Sequence, residues 1–356
     1  MPKPVSNANL LIIGTDRYAQ ETLLPAVYCL AGEFEWVGLA GSEPEQRNYL
    51  AARWENCTVV DRLDACDWPA IDIVALAEPL ERVPAVLQEL AQYPVAKTIL
   101  LLEPPILPRD RLQACQYFPA FQAVCAAADC LAWPNLRVAR ELIAAGKIGT
   151  PQKLWLQNSS DRRDATTIAR SFAAGAPVSF ARAETFGPND CHEYHLQFPR
   201  GFRANILEPY DAEVGRFAII GTAGAIVDYP LYTPNTIQIG YAFEGVRFRG
   251  ITVDGDLQPI DARDWAFLDR LPYGHLPNTS LQGLLKIRGL MEVIHSLWSR
   301  DPAYSYSWRD ALYDAMLPQA SIWWDPLAPA GHSLLQAFYS RWLPPAQRAL
   351  RALKRS

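Results

Sequence analysis

Leu10-Leu-Ile-Ile-Gly14-Thr-Asp16-Arg-Tyr-Ala19, near the start of the 356-residue chain, sets four apolar residues against a glycine. A short all-apolar run that stops at glycine reads as a strand buried on both faces, and such strands belong to parallel sheets. Helical spacing follows over residues 19–32, where Pro25 is expected to break the helix or delay its start. The alternation then repeats. Trp36-Val-Gly-Leu-Ala40 reads as a second strand, 44–54 as a helix, and 57–60 as a short third strand. Ile71-Asp-Ile-Val-Ala-Leu-Ala77 is a fourth, before a helix over 83–92. Lys97-Thr-Ile-Leu-Leu-Leu102, a helix at 109–117 and a strand at 121–126 complete the set. Strands separated by helices imply right-handed crossovers. Residues 1–132 are therefore expected to form a doubly wound α/β domain.

The pattern changes beyond residue 133. A helix over 136–145 ends in Gly146-Lys-Ile-Gly149, and strands are expected at 153–158, 178–186, 193–198, 202–208, 213–220, 236–241 and 246–253. Tyr194, Leu196 and Phe198 alternate with Glu193, His195 and Gln197, so one face of this sheet is packed and the other wet. Helices near 281–298 and 307–324 follow. The expected second domain, 133–330, is α+β with a large, open, mostly antiparallel sheet, and 331–356 is a basic tail.

Composition narrows the function. Lys plus Arg number 33 against 38 Asp plus Glu, a net charge of −5, which argues against bulk neutralisation of nucleic-acid phosphates. No stretch approaches the roughly 18 apolar residues of a membrane span, and Leu10 to Ile13 is too short for a signal peptide. Cytoplasm is the expected compartment. The seven cysteines form no Cys-x-x-Cys pair and read as free thiols. Cys191-His192-Glu-Tyr-His195 is the one histidine cluster; on a strand, residues three apart point to opposite faces, so no metal site is expected.

With that layout, the chain resembles the glucose–fructose oxidoreductase/inositol dehydrogenase (Gfo/Idh/MocA) family. The resemblance runs from residue 8 to about 325. It is carried by Arg140-Glu-Leu-Ile-Ala-Ala-Gly-Lys-Ile-Gly149, the Asp72-Ile-Val strand, Glu103-Pro104-Pro105, Ile220-Gly-Thr-Ala-Gly-Ala225 and Arg309-Asp-Ala-Leu312. It implies a Rossmann domain that binds NAD(P), and a second domain whose open sheet holds substrate and supports a homodimer. It is also distantly similar to biliverdin reductase, which shares the fold and works without the usual lysine.

The working parts depart from the family pattern. The Gly-x-Gly-x-x-Gly/Ala turn lets a pyrophosphate approach the backbone at its second glycine. Here Gly14, Thr15, Arg17 and Ala19 would line that turn, but Asp16 holds the close-approach position. Like charges 4 Å apart repel by about 1 kcal/mol in water and several in a less polar site, with Arg17 as the expected partial compensation. The second strand ends without an acidic residue for the NAD ribose; Ser42 with Arg47 nearby suits NADP better, unless Arg47 is an ordinary exposed helix residue. Glu78 is a further negative charge near the cofactor path and is expected to cap the next helix. Glu103 aligns with the family's Glu-Lys-Pro, which places Pro104 where the lysine should be, and proline offers no titratable group or donor. The family's Asp and His, one helical turn apart, fall near Asn158-Ser-Ser160-Asp-Arg-Arg-Asp164, and no histidine precedes residue 192.

Two readings follow. One is an oxidoreductase-like protein with a degenerate cofactor turn, weak binding of NADP and little or no dehydrogenase activity. The other is a non-enzymatic sensor or binding protein for a small molecule such as haem or a bilin, or a biliverdin-reductase-like NADPH-dependent reductase. Arg182, Glu184, His195 and Arg203 are expected to line a ligand surface on the open sheet face. In the tail, Leu350 and Leu353 oppose Arg348, Arg351, Lys354 and Arg355, a pattern compatible with a membrane-surface contact.

Overall fold

The structure, a computed structural model, describes residues 7–41, 43–54, 57–103, 109–157, 162–186, 191–208, 216–229, 235–299, 306–311 and 313–314. The tail from 331 and the outer half of the 307–324 helix lie outside these residues. Strand β1 (Ala8–Ile13) is buried from Leu10 to Ile13, so neither face meets water. After it come α1 (Leu24–Cys29), β2 (Phe34–Ala40), α2 (Pro44–Arg53), β3 (Thr58–Val59), β4 (Ile73–Leu76), α3 (Val83–Leu90), β5 (Ile99–Leu102) and β6 (Ala123–Ala126). The six strands pair in parallel in the order β3-β2-β1-β4-β5-β6. That is the doubly wound dinucleotide order, with its switch point beside β1.

Two local expectations need correction. Pro25 does not break the helical segment, since a π-helical turn at Ala19–Leu23 runs into α1; the α-helix itself starts late, at Leu24, with Pro25 in its first turn, where the missing N–H is tolerated. Residues 109–120 wind as 3-10 turns instead of an α-helix, with Pro119 inside the segment withholding a backbone donor.

Beyond the first sheet, α4 (Pro134–Ala144), β7 (Pro151–Gln157), α5 (Arg162–Phe172), β8 (Phe180–Phe186), β9 (Cys191–Gln197), β10 (Arg203–Glu208) and β11 (Arg216–Gly221) follow. Then come β12 (Ala225–Val227), β13 (Thr236–Glu244), β14 (Arg247–Val253), β15 (Asp256–Leu257), α6 (Ala262–Arg270) and α7 (Leu281–Ser299). Nine strands form one sheet among the described residues, mostly antiparallel, with β7–β10 and β12–β13 parallel. Tyr194 and Leu196 are buried on its packed face, as their alternation requires. Two of the five motifs that carried the resemblance meet in space: Ala223 N donates to Ile148 O at 2.9 Å, and beside it Thr222 N donates to Thr150 O at 3.1 Å. Helix α6 escaped the periodicity reading, although its Asp261-x-x-Asp264 cap was visible in the sequence.

Helix α7 joins the two halves. It packs on the first helix and on the 3-10 turn Asp129–Ala132 that follows β6. Gly289 makes this approach possible, because a Cβ there would lie 2.3 Å from the Asp129 carbonyl oxygen. The close contact sets Lys286, one turn earlier, at the edge of the parallel sheet.

Candidate functional site

The C-terminal ends of β1, β4, β5 and β6 open on one edge, which is where a doubly wound sheet holds its ligand. Gly14 is fixed by geometry: its φ is +115°, and an added Cβ would lie 1.8 Å from the Ala77 oxygen. The Thr15 carbonyl accepts a hydrogen bond from Gln20 Nε2 at 2.9 Å. Asp16 then closes the turn. Its Oδ1 accepts the Ala19 N–H at 2.9 Å, so the carboxylate caps the helix with one of the donors a phosphate would use. Burial pushes the Asp16 carboxyl above its ordinary range by more than the Ala19 and Tyr18 N–H groups pull it down. Arg17 does not compensate it. Its side chain is 83% exposed and pairs with Glu21, Nε to Oε1 2.7 Å, the normal i,i+4 partner on a helix.

The remaining cofactor-side residues divide. Ser42 and Pro104 lie outside the described residues. Arg47 is not an exposed helix residue: its side chain is 7% exposed and lies under the end of β2, with Nη1 3.4 Å from the Gly41 oxygen and Nη2 2.5 Å from Asp61 Oδ1. Its Nε has no hydrogen-bond partner. Glu78 does not cap α3, whose N-cap is Arg82 without a side-chain bond. It is buried and pairs with Arg82 at 3.2 Å. Burial raises its carboxyl, Arg82 lowers it, and Asp16 and Glu43 raise it further. Glu103 follows β5 and adds to the same negative field.

Deeper in the edge lies a group the sequence reading did not assemble. Asp129 is buried, and Trp133 Nε1 donates to its Oδ2 at 2.9 Å. Burial, with Asp164 nearby, raises its carboxyl to about 7 against the pull of Lys286. Lys286 of α7 (side chain 30% exposed) reaches Asp164 (18%) at the start of α5, Nζ to Oδ2 3.9 Å. Tyr18 completes the group with a buried hydroxyl that has no hydrogen-bond partner. Asp164 belongs to the segment singled out for the family's Asp and His; one turn along α5 stands Ile168, fully buried, so no imidazole is offered there. The available signal was Lys286 itself, a lysine in the otherwise apolar run Leu284-Leu-Lys-Ile287.

The expected ligand surface does share one face of the nine-stranded sheet. Register sets His195 of β9 opposite Arg182 of β8 and Asn205 of β10, with Arg203 two residues from Asn205 on the same side. Arg182 Nη2 lies 3.1 Å from Glu184 Oε1, and His195 Nε2 lies 3.9 Å from both Glu184 and Glu193. Arg182 is thus paired with Glu184 on this face. Six described cysteines are free thiols. Among the described residues no three His, Cys, Asp or Glu could hold a metal ion, and no helix is long and apolar enough to cross a membrane.

No family model and no curated protein matches the chain. Solved structures do. An oxidoreductase from Agrobacterium radiobacter, in complex with NAD+, L-tartaric acid and magnesium, superposes with a TM-score of 0.61 over 89% of this chain and 96% of its own, at 12% identity. The myo-inositol 2-dehydrogenase from Lactobacillus plantarum gives 0.61 over 89% and 97%, also at 12%. A dehydrogenase from Chromobacterium violaceum gives 0.61 over 95% and 99%, at 14%. At such identities the likeness is one of architecture, and it agrees with what the motifs implied: the chain has the Gfo/Idh/MocA dehydrogenase fold.

Proposed function

We propose that this chain is an oxidoreductase-fold protein that binds NAD(P) weakly and has little or no conventional dehydrogenase activity. The observation that carries this reading is the Asp16 carboxylate, capping the helix at the close-approach position with no salt-bridge partner among the described residues. A dinucleotide bound as in this fold would bring two phosphates to that carboxylate and compete with it for the Ala19 N–H. The residues present therefore do not suit a diphosphate. The missing acid–base histidine points the same way, since Ile168 supports packing and no proton transfer. What nucleotide affinity remains favours NADPH, because no carboxylate stands at 39–41 to hold the NAD ribose. Titration of the full chain with NADH and NADPH, followed by tryptophan fluorescence, tests the reading. Quenching that fails to saturate below about 1 mM, the upper end of ordinary KM values, is the expected result. Saturation at micromolar nucleotide together with turnover of a polyol would overturn it.

A further inference from the structure

The segment from Tyr306 to Asp314 follows the nine-stranded sheet and α7 in the chain, yet it belongs to the parallel sheet. Tyr306 O accepts the Ala126 N–H at 2.8 Å and Ser307 pairs antiparallel with Cys125, so the segment lies along the outer edge of β6. Its apolar contacts go to the same half. Trp308 meets Phe118 edge to face at 4.9 Å, and Ala311 is buried in the apolar cluster that holds Leu87, Leu102 and Phe118. What the segment offers α5 is polar. Arg170 Nη1 reaches Asp314 Oδ1 at 2.7 Å and Nη2 reaches Asp310 Oδ1 at 3.0 Å. Thr167 Oγ1 donates to Asp314 Oδ2 at 2.9 Å, Tyr306 Oη donates to the same carboxylate, and the guanidinium lies 4.7 Å from the Tyr313 ring. Thr167 and Arg170 are thereby buried, although the apolar side of α5 is the one formed by Ala165, Ile168 and Ala169.

The α7 side of the crevice is built the other way. Leu290 and Ile294 of α7 share one apolar cluster with Leu24 and Val27 of α1, and Gly289 brings α7 against the Asp129 carbonyl. A close-packed apolar contact deforms little. A buried ion pair recovers little more than the solvation it gave up, and polar junctions between domains are where relative motion is expected. We infer that the crevice is hinged and latched: its α7 side stays fixed, and it opens on the β6 side by parting Arg170 and Thr167 of α5 from Asp310 and Asp314. The Cys130 thiol marks this joint. It is buried in the turn after β6, against which α5 packs, and the Asp314 charge acts on it. Cys29, equally buried, stands on the hinge side at the end of α1, where its carbonyl accepts from Arg270 Nη1 at 3.3 Å. The inference concerns access to the crevice and does not rest on the reading of nucleotide affinity.

The test is labelling of the native full chain with N-ethylmaleimide at a single pH, with each cysteine followed by peptide mass mapping. Asp314→Asn keeps the shape of the latch and removes its charge, and should speed Cys130 labelling at least tenfold while Cys29 keeps its wild-type rate. Asp310→Asn, at the half-exposed end of the grip, should speed it at least twofold, and it alone decides if Asp314→Asn does not fold. Equal acceleration of Cys130 and Cys29 means that the substitution loosens the whole fold, and overturns the inference. An unchanged Cys130 rate in Asp314→Asn, or in Asp310→Asn where only that variant folds, overturns it as well. The NADPH titration has a different readout, so its failure leaves this result standing.

Discussion

Two helices in this molecule begin on an aspartate that caps them, and the two aspartates live differently. Asp261 opens α6 by accepting the Asp264 N–H at 2.7 Å; Asp16 opens the first helix by accepting the Ala19 N–H at 2.9 Å. Burial pushes both carboxyls up. At Asp261 the Asp264 N–H and the guanidiniums of Arg137 and Arg288 more than reverse this, and the group ends below its usual range. At Asp16 only backbone donors oppose burial, and it ends above. The surroundings extend the contrast. Arg137 bonds Asp261 and Asp264 at 2.8 and 2.9 Å, Arg288 bonds Asp264 and reaches Glu292 at 2.7 Å, and Arg263 reaches Glu292 at 2.9 Å. The junction of α4, α6 and α7 thus matches each carboxylate with a guanidinium. At the edge of the parallel sheet Asp16, Glu103, Asp129 and Asp164 all act on the buried Tyr18 hydroxyl, and burial holds Asp16 and Asp129 above the ordinary carboxylate range. Carboxyls raised by burial thus gather at that edge, which is why it reads as the functional region.

The contrast breaks most sharply at Arg288, which is fully buried. Arg288→Met leaves Asp264 to Arg137 alone and Glu292 to Arg263 alone, and should cost about 1–3 kcal/mol in denaturant unfolding, as loss of one partner of a buried polar group does. Asp129→Asn at pH 8 should instead be neutral or stabilising. A loss below about 1 kcal/mol in the first variant, or a comparable loss in the second, would erase the distinction.

A second prediction concerns pH. Asp129 and Asp228 are both raised to about 7, each chiefly by burial. A carboxyl raised on folding keeps its proton in the native state while the unfolded chain has lost it, so stability falls as pH rises from about 4 to 7. The slope is up to about 1.4 kcal/mol per pH unit for each group. Asp129→Asn and Asp228→Asn should each flatten that decline in thermal melts between pH 5 and 8. A stability that climbs across this range would contradict the assignment.

The smallest effect is expected at Arg17. Because it is engaged with Glu21 on an exposed helix face, Arg17→Ala should change stability by less than about 1 kcal/mol and leave NADPH affinity unaltered. A several-fold loss of nucleotide affinity would show that Arg17 serves the turn after all.

The elements that depend on local pattern were legible. Leu10 to Ile13 and the other apolar runs could only be buried strands, and the alternation through Tyr194 placed His195 and Arg182 on one open face. Asp16 was recognisable as an obstacle from its position alone, though its capping bond was not. Arg17 pairs with Glu21 at i,i+4 and not with Asp16, a competition present in the sequence, whereas nothing local announces that Arg47 of a helix will be buried beneath a strand end, which excludes only its exposed-residue alternative. Tyr18, Asp129 and Lys286 were invisible as a group. They meet only because α7, far along the chain, packs through Gly289 onto the turn after β6, and no pattern within a window of neighbouring residues encodes that contact.

Calorimetric titration of NADPH into the wild-type chain and into Asp16→Gly bears most directly on the electrostatic account of the nucleotide edge. Glycine at a cap costs only a few tenths of a kcal/mol, so the fold should hold. The variant removes the carboxylate and frees the Ala19 N–H, and its affinity should exceed that of the wild type by at least tenfold, about 1.4 kcal/mol. Equal affinity in the two proteins, whether strong or weak, would contradict the claim that Asp16 keeps the diphosphate out.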